Sequence, residues 1–471
     1  MRVGGLAIGA RDGIAFMGVE AKDVVVIGGG FAGLAAAVAL GTRGFRVAVL
    51  EGKPALGGRA YSFPDAGTGD FVDNGQHVLM GCYHETLDFL EQIGTRRQLI
   101  FHRNLEIEML DGPGRHAHLR TVALPGPLHM SAALLGYRHL TLGERMRLIA
   151  GGSHLMYLRS RDRDRLRRMS VAELMDALKQ GERARQYFWY PLAIATLNDD
   201  PELASAALLA EVLKRAFFSC RDDSAFVYSK VGLSDLYCGA AHDAIENAGG
   251  VVATRSIVEG FDFDASSAIT AVRLRDGSRL SAANYVVAVP PHQFLKLLPE
   301  AAVADPFFSR IGALKSSPII CVHVWLDREV TDSAFIGFIG TQTQWLFNKR
   351  RIFERHGERH PGYLSFVISG ARKLVDSSND ELLDLVINDL RTMIPAARYA
   401  NVLKALVLKE KHATMSPDPL SDLSRPATVT PIPNLFLAGD WIQTGLPASI
   451  ESAVVSGRAA ANAIATRVGG G

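Results

Sequence analysis

The chain has 471 residues, of which 48% are hydrophobic and 21% charged, a composition typical of globular proteins with two or three domains. Its formal net charge is only +2, so the strong basic bias of a general nucleic-acid-binding protein is missing. No run of about eighteen apolar residues and no His/Cys spacing typical of a metal site occurs, so neither a transmembrane helix nor a bound metal is predicted. The four cysteines form no CxxC pair and are predicted to be reduced thiols, as in a cytosolic protein.

Residues 1–20 are rich in Gly and Ala and follow no periodic pattern. They lack the apolar core and cleavage site of a signal peptide. We therefore predict a disordered extension, and Met17 is a plausible alternative start because every motif described below lies after it.

The first predicted element is a strand, Asp23–Ile27, an apolar run of the kind that is buried on both faces of a parallel sheet. A glycine turn follows, Gly28-Gly-Gly-Phe-Ala-Gly33, and then a strong helix-forming segment, Leu34–Leu40. A second predicted strand, Arg46–Leu50, closes with Glu51. Strand, glycine turn, helix, strand and acid in this order are the fingerprint of a dinucleotide-binding fold.

Each part of this fingerprint has a physical role. Gly28 permits the tight turn, Gly30 lets the backbone approach a pyrophosphate, and Gly33 lets the helix pack close to the strand. The helix N-terminus offers N–H groups and a partial positive charge to phosphates, while Glu51 can accept hydrogen bonds from ribose hydroxyls. The predicted nucleotide contacts are Gly28, Gly30, Phe31, Ala32, Gly33 and Glu51.

A second glycine motif, Pro54-Ala-Leu-Gly-Gly-Arg59, follows the second strand directly. Gly57, Gly58 and Arg59 suit close backbone approach to a further stretch of phosphate and ribityl chain. This pattern resembles the signature of the flavoprotein superfamily that contains amine oxidases and phytoene desaturases. The resemblance implies that the ligand is FAD, bound non-covalently.

The C-terminal part of the chain resembles the second FAD segment of that superfamily. Asn434–Asp440 is predicted to be a strand that ends in Gly439-Asp440, and Ala448–Thr466 is predicted to be helical. The resemblance implies that Asp440 bonds the ribityl or pyrophosphate region. It also implies that the helix N-terminus, at Ser449 and Ile450, points at the pyrimidine side of the flavin and stabilises negative charge there.

Further along the superfamily pattern, Asn247–Val258 resembles the segment that passes the adenine, with the backbone of Val258 as the implied contact. No second GxGxxG follows a predicted strand. A built-in NAD(P)H domain is therefore not predicted, and electrons come from the substrate or from a separate donor.

The predicted fold class is α/β, with α+β character overall. A Rossmann-like FAD-binding domain is assembled from residues 21–104, 221–295 and 426–471. Residues 105–220 and 296–425 are predicted to form an inserted substrate domain of helices and a mixed sheet, with Ile319–Trp325 and Tyr363–Ile368 as strands. Such a wall could enclose a long apolar substrate.

From Asp23 to Thr466 the sequence resembles the squalene-associated FAD-dependent desaturases, also understood as hydroxysqualene dehydroxylases of hopanoid synthesis. The most specific motif is Asp73-Asn-Gly-Gln-His77. The resemblance implies that hydroxysqualene loses its allylic hydroxyl and receives a hydride from reduced flavin, which gives squalene. The remaining segments that carry the resemblance are Phe71–Thr86, Trp189–Asn198, Trp345–Asn348 and Ala438–Glu451.

His77 is our candidate for the general acid that protonates the leaving hydroxyl, because an imidazole can donate a proton near neutral pH. Asp73 could orient that region. A packed or turn-stabilising role for His77 stays equally open, and Tyr190 and Asp199 are weaker candidates.

A substrate with almost no polar surface must come from a membrane. We expect a cytoplasmic protein attached peripherally to the inner membrane, with monotopic contact through apolar helix faces near Pro201–Phe218 and the arginine-rich run Arg159–Arg168. That run is equally typical of a solvated helix face. Expected partners are a separate electron donor and other squalene-pathway enzymes. The alternatives are a carotenoid-type desaturase, less favourably an amine oxidase, and a catalytically idle flavin-binding scaffold.

Overall fold

The computed structural model describes residues 22–157, 160–353 and 360–469, without the side chains of residues 160, 161 and 163. The predicted extension, residues 1–20, lies outside the described residues, as does Arg159. Within the described ranges, no helix combines the length and the hydropathy needed to cross a bilayer.

Five parallel strands form the predicted dinucleotide-binding sheet, which we call the nucleotide sheet. In spatial order they are Val251–Ala253, Val47–Leu50, Lys22–Ile27, Ala282–Val287 and Leu435–Leu437. Val24 and Val26 face one layer of the core, and Val25 and Ile27 face the other. Because both faces are covered, the strands are apolar throughout, as their sequence predicts.

Helices cover one face of the nucleotide sheet, and Phe31–Gly41 packs there against Ile450–Gly469. The two helices cross closely at Gly457, where a Cβ would lie 2.2 Å from the carbonyl oxygen of Ala32. His84–Gln92 and Gly239–Asn247 complete this layer. The opposite face carries the antiparallel strands Val258–Phe263, Ile269–Leu274 and Arg279–Leu280, followed by the short helices Pro291–Phe294, Glu300–Val303 and Pro306–Ser309.

A second sheet, the large sheet, has seven strands from both predicted substrate blocks. In spatial order they are Val402–Met415, Ser316–Leu326, Gly362–Ser369, Trp345–Asn348, Phe335–Phe338, Glu106–Leu110 and His116–Arg120. Only Phe335–Phe338 and Glu106–Leu110 pair in parallel. The helix Asn379–Met393 packs on one face. Both predicted strands, Ile319–Trp325 and Tyr363–Ile368, lie inside neighbouring members of this sheet.

The first substrate block is mainly helical, as predicted. Its helices are Leu128–Gly136, Leu142–Met156, Ser160–Leu166, Val171–Ala177, Glu182–Ala184, Tyr190–Leu197 and Ala206–Phe217. Smaller elements join the blocks: the ribbon Ser62–Pro64 with Phe71–Asp73, the strands Leu79–Met80, Phe226–Ser229 and Leu99–His102, and the helices Lys349–Ile352 and Pro419–Ser424. The mixed α/β class is confirmed, whereas the exact domain boundaries stay a prediction.

Candidate functional site

The glycine turn after Lys22–Ile27 is closed by contacts between backbones. Gly28 has a φ of +109°, and a Cβ there would lie 2.7 Å from the carbonyl oxygen of Ala288. At Gly33 a Cβ would lie 1.9 Å from the carbonyl oxygen of Gly28, because the helix starts directly against the strand. The protein's own packing therefore requires glycine at both positions.

Gly30 differs, because no described protein atom crowds it. The atom nearest to a Cβ at this position is the Cα of Gly58, at 3.7 Å, which is ordinary contact. Gly57 donates its N–H to the carbonyl oxygen of Gly29 at 2.9 Å, so the second glycine motif lies on the first. The helix N-terminus lies just beyond, and the open backbone at Gly30 is consistent with the predicted approach of a pyrophosphate.

The side chains of Phe31 and Ala32 are buried in the core, so only their backbone atoms could contact the predicted nucleotide. The ring of Phe31 stacks on Tyr237 with a centroid separation of 3.7 Å. The hydroxyl of Tyr237 in turn donates to the carbonyl oxygens of Gly57 and Ala60, at 2.9 and 3.0 Å. One aromatic pair therefore supports both glycine motifs from below.

Glu51 ties the glycine turn to the second strand. One carboxylate oxygen accepts from the N–H of Gly29 at 2.7 Å and the other from the N–H of Lys53 at 2.8 Å. Carboxylate oxygens have further lone pairs, so a ribose hydroxyl could still be bound. Val258 begins its strand beside this corner, because the preceding Ser256 donates its N–H to the carbonyl oxygen of Glu51 at 2.9 Å.

Arg59 and Asp440 join the N-terminal and C-terminal parts of the predicted FAD site. The Arg59 guanidinium donates to the Asp440 carboxylate at 2.5 Å and to the carbonyl oxygen of Ala413 at 3.1 Å. Burial opposes the charge of Arg59, but Asp440 outweighs it and raises the pKa of that guanidinium. Gly439 is held by its N–H, which donates to the Ser456 hydroxyl at 2.8 Å.

The last predicted cofactor segment lies at the start of the helix Ile450–Gly469. The Ser449 hydroxyl accepts from the N–H of Ser452 at 3.2 Å and so caps this helix. Glu451 points away to a second helix and accepts from the N–H groups of Glu85 and Thr86, at 3.0 and 2.9 Å. Burial raises the pKa of Glu451.

The two predicted catalytic residues lie at one end of a buried polar cluster. Lys349, which is fully buried, donates to Asp73 at 2.9 Å and to the side-chain oxygen of Gln76 at 2.5 Å. Asn74 donates to the carbonyl oxygen of Arg59 at 3.3 Å, which places this turn beside the second glycine motif. We call Asp73, Gln76 and Lys349 the lysine cluster.

His77 follows this turn, and its Nε2 atom is buried without a hydrogen-bond partner in the described part of the chain. Burial lowers the pKa of His77, Asp73 raises it, and the charges of Lys349 and Arg59 lower it further. The net direction is downward, so the imidazole is uncharged at neutral pH. This refines the sequence-based expectation, in which His77 donates a proton readily at neutral pH.

Behind Asp73 lies a second set of buried polar groups from the large sheet. His323 Nε2 is 3.2 Å from the carbonyl oxygen of Asp73, and His323 Nδ1 is 3.0 Å from the Tyr363 hydroxyl. A carbonyl oxygen only accepts, so Nε2 carries the proton and Nδ1 accepts from Tyr363. Burial lowers the pKa of His323 to about 3, and burial also raises the pKa of Cys321 beside it to about 11.

Sequence reasoning missed Lys349, His323 and Tyr363. The available signal was a lysine directly after Trp345–Asn348, one of the segments that carries the family resemblance. Asp199, a weaker candidate for the general acid, forms an ion pair instead, because the guanidinium of Arg372 donates to its carboxylate at 2.6 and 3.0 Å. Tyr190 begins the helix Tyr190–Leu197 and is partly buried.

Exposed apolar side chains lie both inside and outside the region predicted to contact a membrane, and Leu203, inside that region, is 45% exposed. Around Pro201–Phe218, the leucines of the helix Ala206–Phe217 are buried, because they pack into the core of the helical block. Leu128, Leu142 and Met146 are instead 56%, 65% and 54% exposed.

Among the described residues, all four cysteines are free, and no group of three or more His, Cys, Asp or Glu side chains could hold a metal ion.

The sequence profile of the family described as "Flavin containing amine oxidoreductase" matches residues 31–465. Hydroxysqualene dehydroxylase of Rhodopseudomonas palustris is 28% identical over 459 residues, which cover 94% of this chain and 98% of that protein. The chloroplastic/chromoplastic 15-cis-phytoene desaturase of Solanum lycopersicum is 25% identical over 466 residues, which cover 94% and 77%. A crystal structure of an oxidoreductase from Methanosarcina mazei is similar in fold, with a TM-score of 0.72 at 16% identity over 93% of this chain and 99% of that chain.

Proposed function

Because the chain belongs to the family of flavin containing amine oxidoreductases, we propose that it binds FAD non-covalently and reduces hydroxysqualene to squalene. The observation that carries the proposal is the placement of Asp73-Asn-Gly-Gln-His77, the motif that most specifically resembles hydroxysqualene dehydroxylases. Its polar side chains form a buried cluster with Lys349, directly beside Arg59 of the second glycine motif. The similarity to the Rhodopseudomonas palustris protein extends over nearly the full length of both chains, which supports the same reading.

The residues around the glycine motifs fit FAD. The backbone at Gly30 is open, the helix N-terminus offers N–H groups to phosphate, and Glu51 offers oxygen to ribose. Arg59 and Asp440 would hold the middle of the cofactor, and the N-terminus at Ile450 would face the flavin. When bound, reduced FAD supplies the hydride that replaces the hydroxyl group.

The chain itself must assist the departure of the hydroxyl. The allylic C–O bond breaks readily when the oxygen receives a proton and leaves as water. The unpartnered His77 Nε2 would hydrogen-bond that oxygen and so orient it. Burial lowers the pKa of His77, which makes its protonated form a stronger acid than free histidine. We therefore expect activity to increase as the pH falls below the ordinary histidine range, because the imidazole becomes protonated there.

The first test is an anaerobic single turnover. The purified protein is reduced with dithionite, freed of excess reductant and mixed with hydroxysqualene in detergent. Squalene should form while the oxidised flavin absorbance returns in proportion. The proposal is wrong if the flavin stays reduced under conditions where hydroxysqualene demonstrably binds. His77→Phe serves as the variant that keeps a ring of similar size and removes the proton donor.

A carotenoid-type desaturase is the second candidate, because the tomato phytoene desaturase is similar over 94% of this chain. That reaction runs in the opposite direction, since oxidised flavin would remove hydrogen from a polyene precursor. Mixing the oxidised protein with phytoene under anaerobic conditions separates the two readings. Bleaching of the flavin would favour the desaturase. An idle flavin-binding scaffold would show turnover in neither assay.

We extend the proposal to peripheral attachment of a cytoplasmic protein to the inner membrane, where the apolar substrate is found. Leu142 and Met146 are one helical turn apart, and the exposed Arg147 follows them, which suits an anionic lipid surface. In a flotation assay with anionic liposomes, Leu142→Asp/Met146→Asp should reduce binding. Leu420→Asp is the control, because Leu420 is 74% exposed on a different helix, Pro419–Ser424. Equal binding of both variants would contradict this placement.

A separate electron donor and other squalene-pathway enzymes complete the proposed partners. Each turnover consumes two electrons from the reduced cofactor, so a donor must restore them. The test is to supply candidate reductants to the oxidised protein and to measure which of them sustains more than one turnover of squalene formation.

A further inference from the structure

We infer that Lys349 is a positioning residue of the proposed reaction site, which acts through Gln76 to fix the imidazole of His77. This inference rests on the proposed function, in which His77 meets the hydroxyl of the substrate. It adds a residue from the short helix Lys349–Ile352, which directly follows a strand of the large sheet, to a site that otherwise lies in the N-terminal motifs.

The contacts of the Lys349 ammonium group involve all three of its N–H donors. Nζ donates to Asp73 at 2.9 Å and to Gln76 at 2.5 Å, and it lies 4.5 Å from the centre of the Phe353 ring. An ammonium group has three N–H donors, so two carry hydrogen bonds and the third faces an aromatic ring. A long side chain held at three points has little freedom to move.

The partners of Lys349 lie on either side of one turn. Asp73 ends the strand Phe71–Asp73, and Gly75 has a φ of +131°, a conformation that other residues rarely adopt. Gln76 follows this glycine and is bonded directly to His77 in the chain. A single Nζ therefore holds both ends of the turn, and the imidazole is the next side chain along.

Attachment of the ribbon to the large sheet does not require Lys349. Trp325 donates to Asp70 at 2.8 Å, and the Tyr363 hydroxyl oxygen lies 3.1 Å from the carbonyl oxygen of Phe71. Lys404 adds an ion pair with Asp65 at 2.6 Å and is 34% exposed, so its charge stays hydrated. A fully buried ion pair rarely adds stability beyond what apolar side chains would give. Precise placement of a functional group is the better-supported role for Lys349.

The test is a double-mutant cycle under multiple turnover, with dithionite as the reductant, on Lys349→Met, His77→Gln and the double variant. Lys349→Met should lower kcat about 10- to 100-fold and leave KM within about threefold, because a misplaced group costs rate more than binding. The double variant should be no slower than His77→Gln alone, since the effect passes through the imidazole. Lys404→Met is the matched control and should leave kcat within about twofold. Flavin content checks that each variant is folded.

Unchanged kcat in Lys349→Met, or additive losses in the double variant, would overturn the inference. If Lys349→Met does not fold, Gln76→Met carries the test, because it breaks the link to the turn while the Asp73–Lys349 pair remains. Gln76→Met must then lower kcat and must show the same non-additivity with His77→Gln.

A second readout separates this inference from the proposed function. Hydrogen–deuterium exchange at the C2 position of His77, followed by mass spectrometry, needs no substrate. Exchange should be faster in Gln76→Met than in Lys404→Met, because the ring is less well fixed while the charge of Lys349 is kept. If the wild-type protein forms no squalene but this difference is seen, the proposed reaction is wrong and the positioning role stands. If squalene forms and the exchange rates are equal, the positioning role is wrong.

Discussion

The glycine turn and the lysine cluster are stabilised by different kinds of contact. At the turn, contacts run from backbone to backbone, and a Cβ at Gly33 would lie 1.9 Å from the carbonyl oxygen of Gly28. In the cluster, contacts run between side chains, and Lys349 reaches Asp73 across 276 positions of sequence. The first arrangement tolerates no added atom at Gly28 or Gly33, and the second tolerates no lost charge. Substitutions can test each half of this contrast.

The largest effect is expected where a buried charge loses its partner. Lys349→Met leaves the Asp73 carboxylate buried and unpaired, which should cost about 3–5 kcal/mol of unfolding free energy. The same change at Lys404, whose side chain is 34% exposed, should cost about 0–1 kcal/mol. Urea unfolding measures both. Asp73→Asn/Lys349→Met should recover part of the loss, and equal costs at the two lysines would contradict the contrast.

The second-largest effect on stability is expected when a methyl group is added at the glycine turn. Gly33→Ala should cost about 1–3 kcal/mol, at the upper end or beyond, because the clashing atom belongs to the backbone. It should also lower flavin content. Gly30→Ala meets only an ordinary contact at 3.7 Å, so stability without flavin should change little while flavin content falls. Flavin absorbance per protein and thermal unfolding of the apoprotein separate the two effects. Retention of flavin in Gly30→Ala would argue against a phosphate at that position.

A smaller and pH-dependent effect is expected from His323. Burial lowers its pKa from 6.5 to about 3, so between these values the unfolded chain binds a proton that the folded chain does not. Stability is therefore unaffected by His323 above pH 6.5 and falls below it, by about 1.4 kcal/mol per pH unit. Urea midpoints measured from pH 7 to 4.5 should fall less steeply in His323→Gln than in the wild type.

The smallest expected effect lies outside both regions, at Glu451. This carboxylate caps the helix His84–Gln92 by accepting from two N–H groups. Glu451→Ala should cost about 0.5–2 kcal/mol, the usual range for a lost helix cap. Thermal unfolding would show this, and an unchanged midpoint would mean that other groups satisfy the helix N-terminus.

The backbone-built region could be predicted from the sequence because its signals are local. Strand Lys22–Ile27, the glycine turn and helix Phe31–Gly41 are consecutive in the chain, and each residue type has one physical reason to be there. The C-terminal strand Leu435–Leu437 was also expected, although its parallel neighbour Ala282–Val287 is far away in sequence. There the apolar run and the family resemblance supplied the missing information.

The lysine cluster, which is held by contacts between side chains, could not be predicted in the same way. The Asp73–Lys349 pair depends on how the ribbon meets the large sheet, and no local pattern marks a lysine that will be buried. The edge strand Val402–Met415 was missed because half-buried apolar and charged residues mix along it. The leucines of the helix Ala206–Phe217 are buried by tertiary packing, which its sequence did not indicate, whereas membrane contact near Pro201–Phe218 stays a prediction. In each case long-range contacts decided the outcome.

The order of strands in the nucleotide sheet also bears on how the chain is made by the ribosome. The central strand Lys22–Ile27 emerges first, yet its neighbour Ala282–Val287 is translated much later. At a typical translation rate of 5–20 residues per second, the edge of this apolar strand would stay unpaired for about 10–50 s until its partner strand is synthesised. An unpaired apolar edge invites aggregation. Chaperone supply and translation rate should therefore influence how much of this protein is recovered with its cofactor.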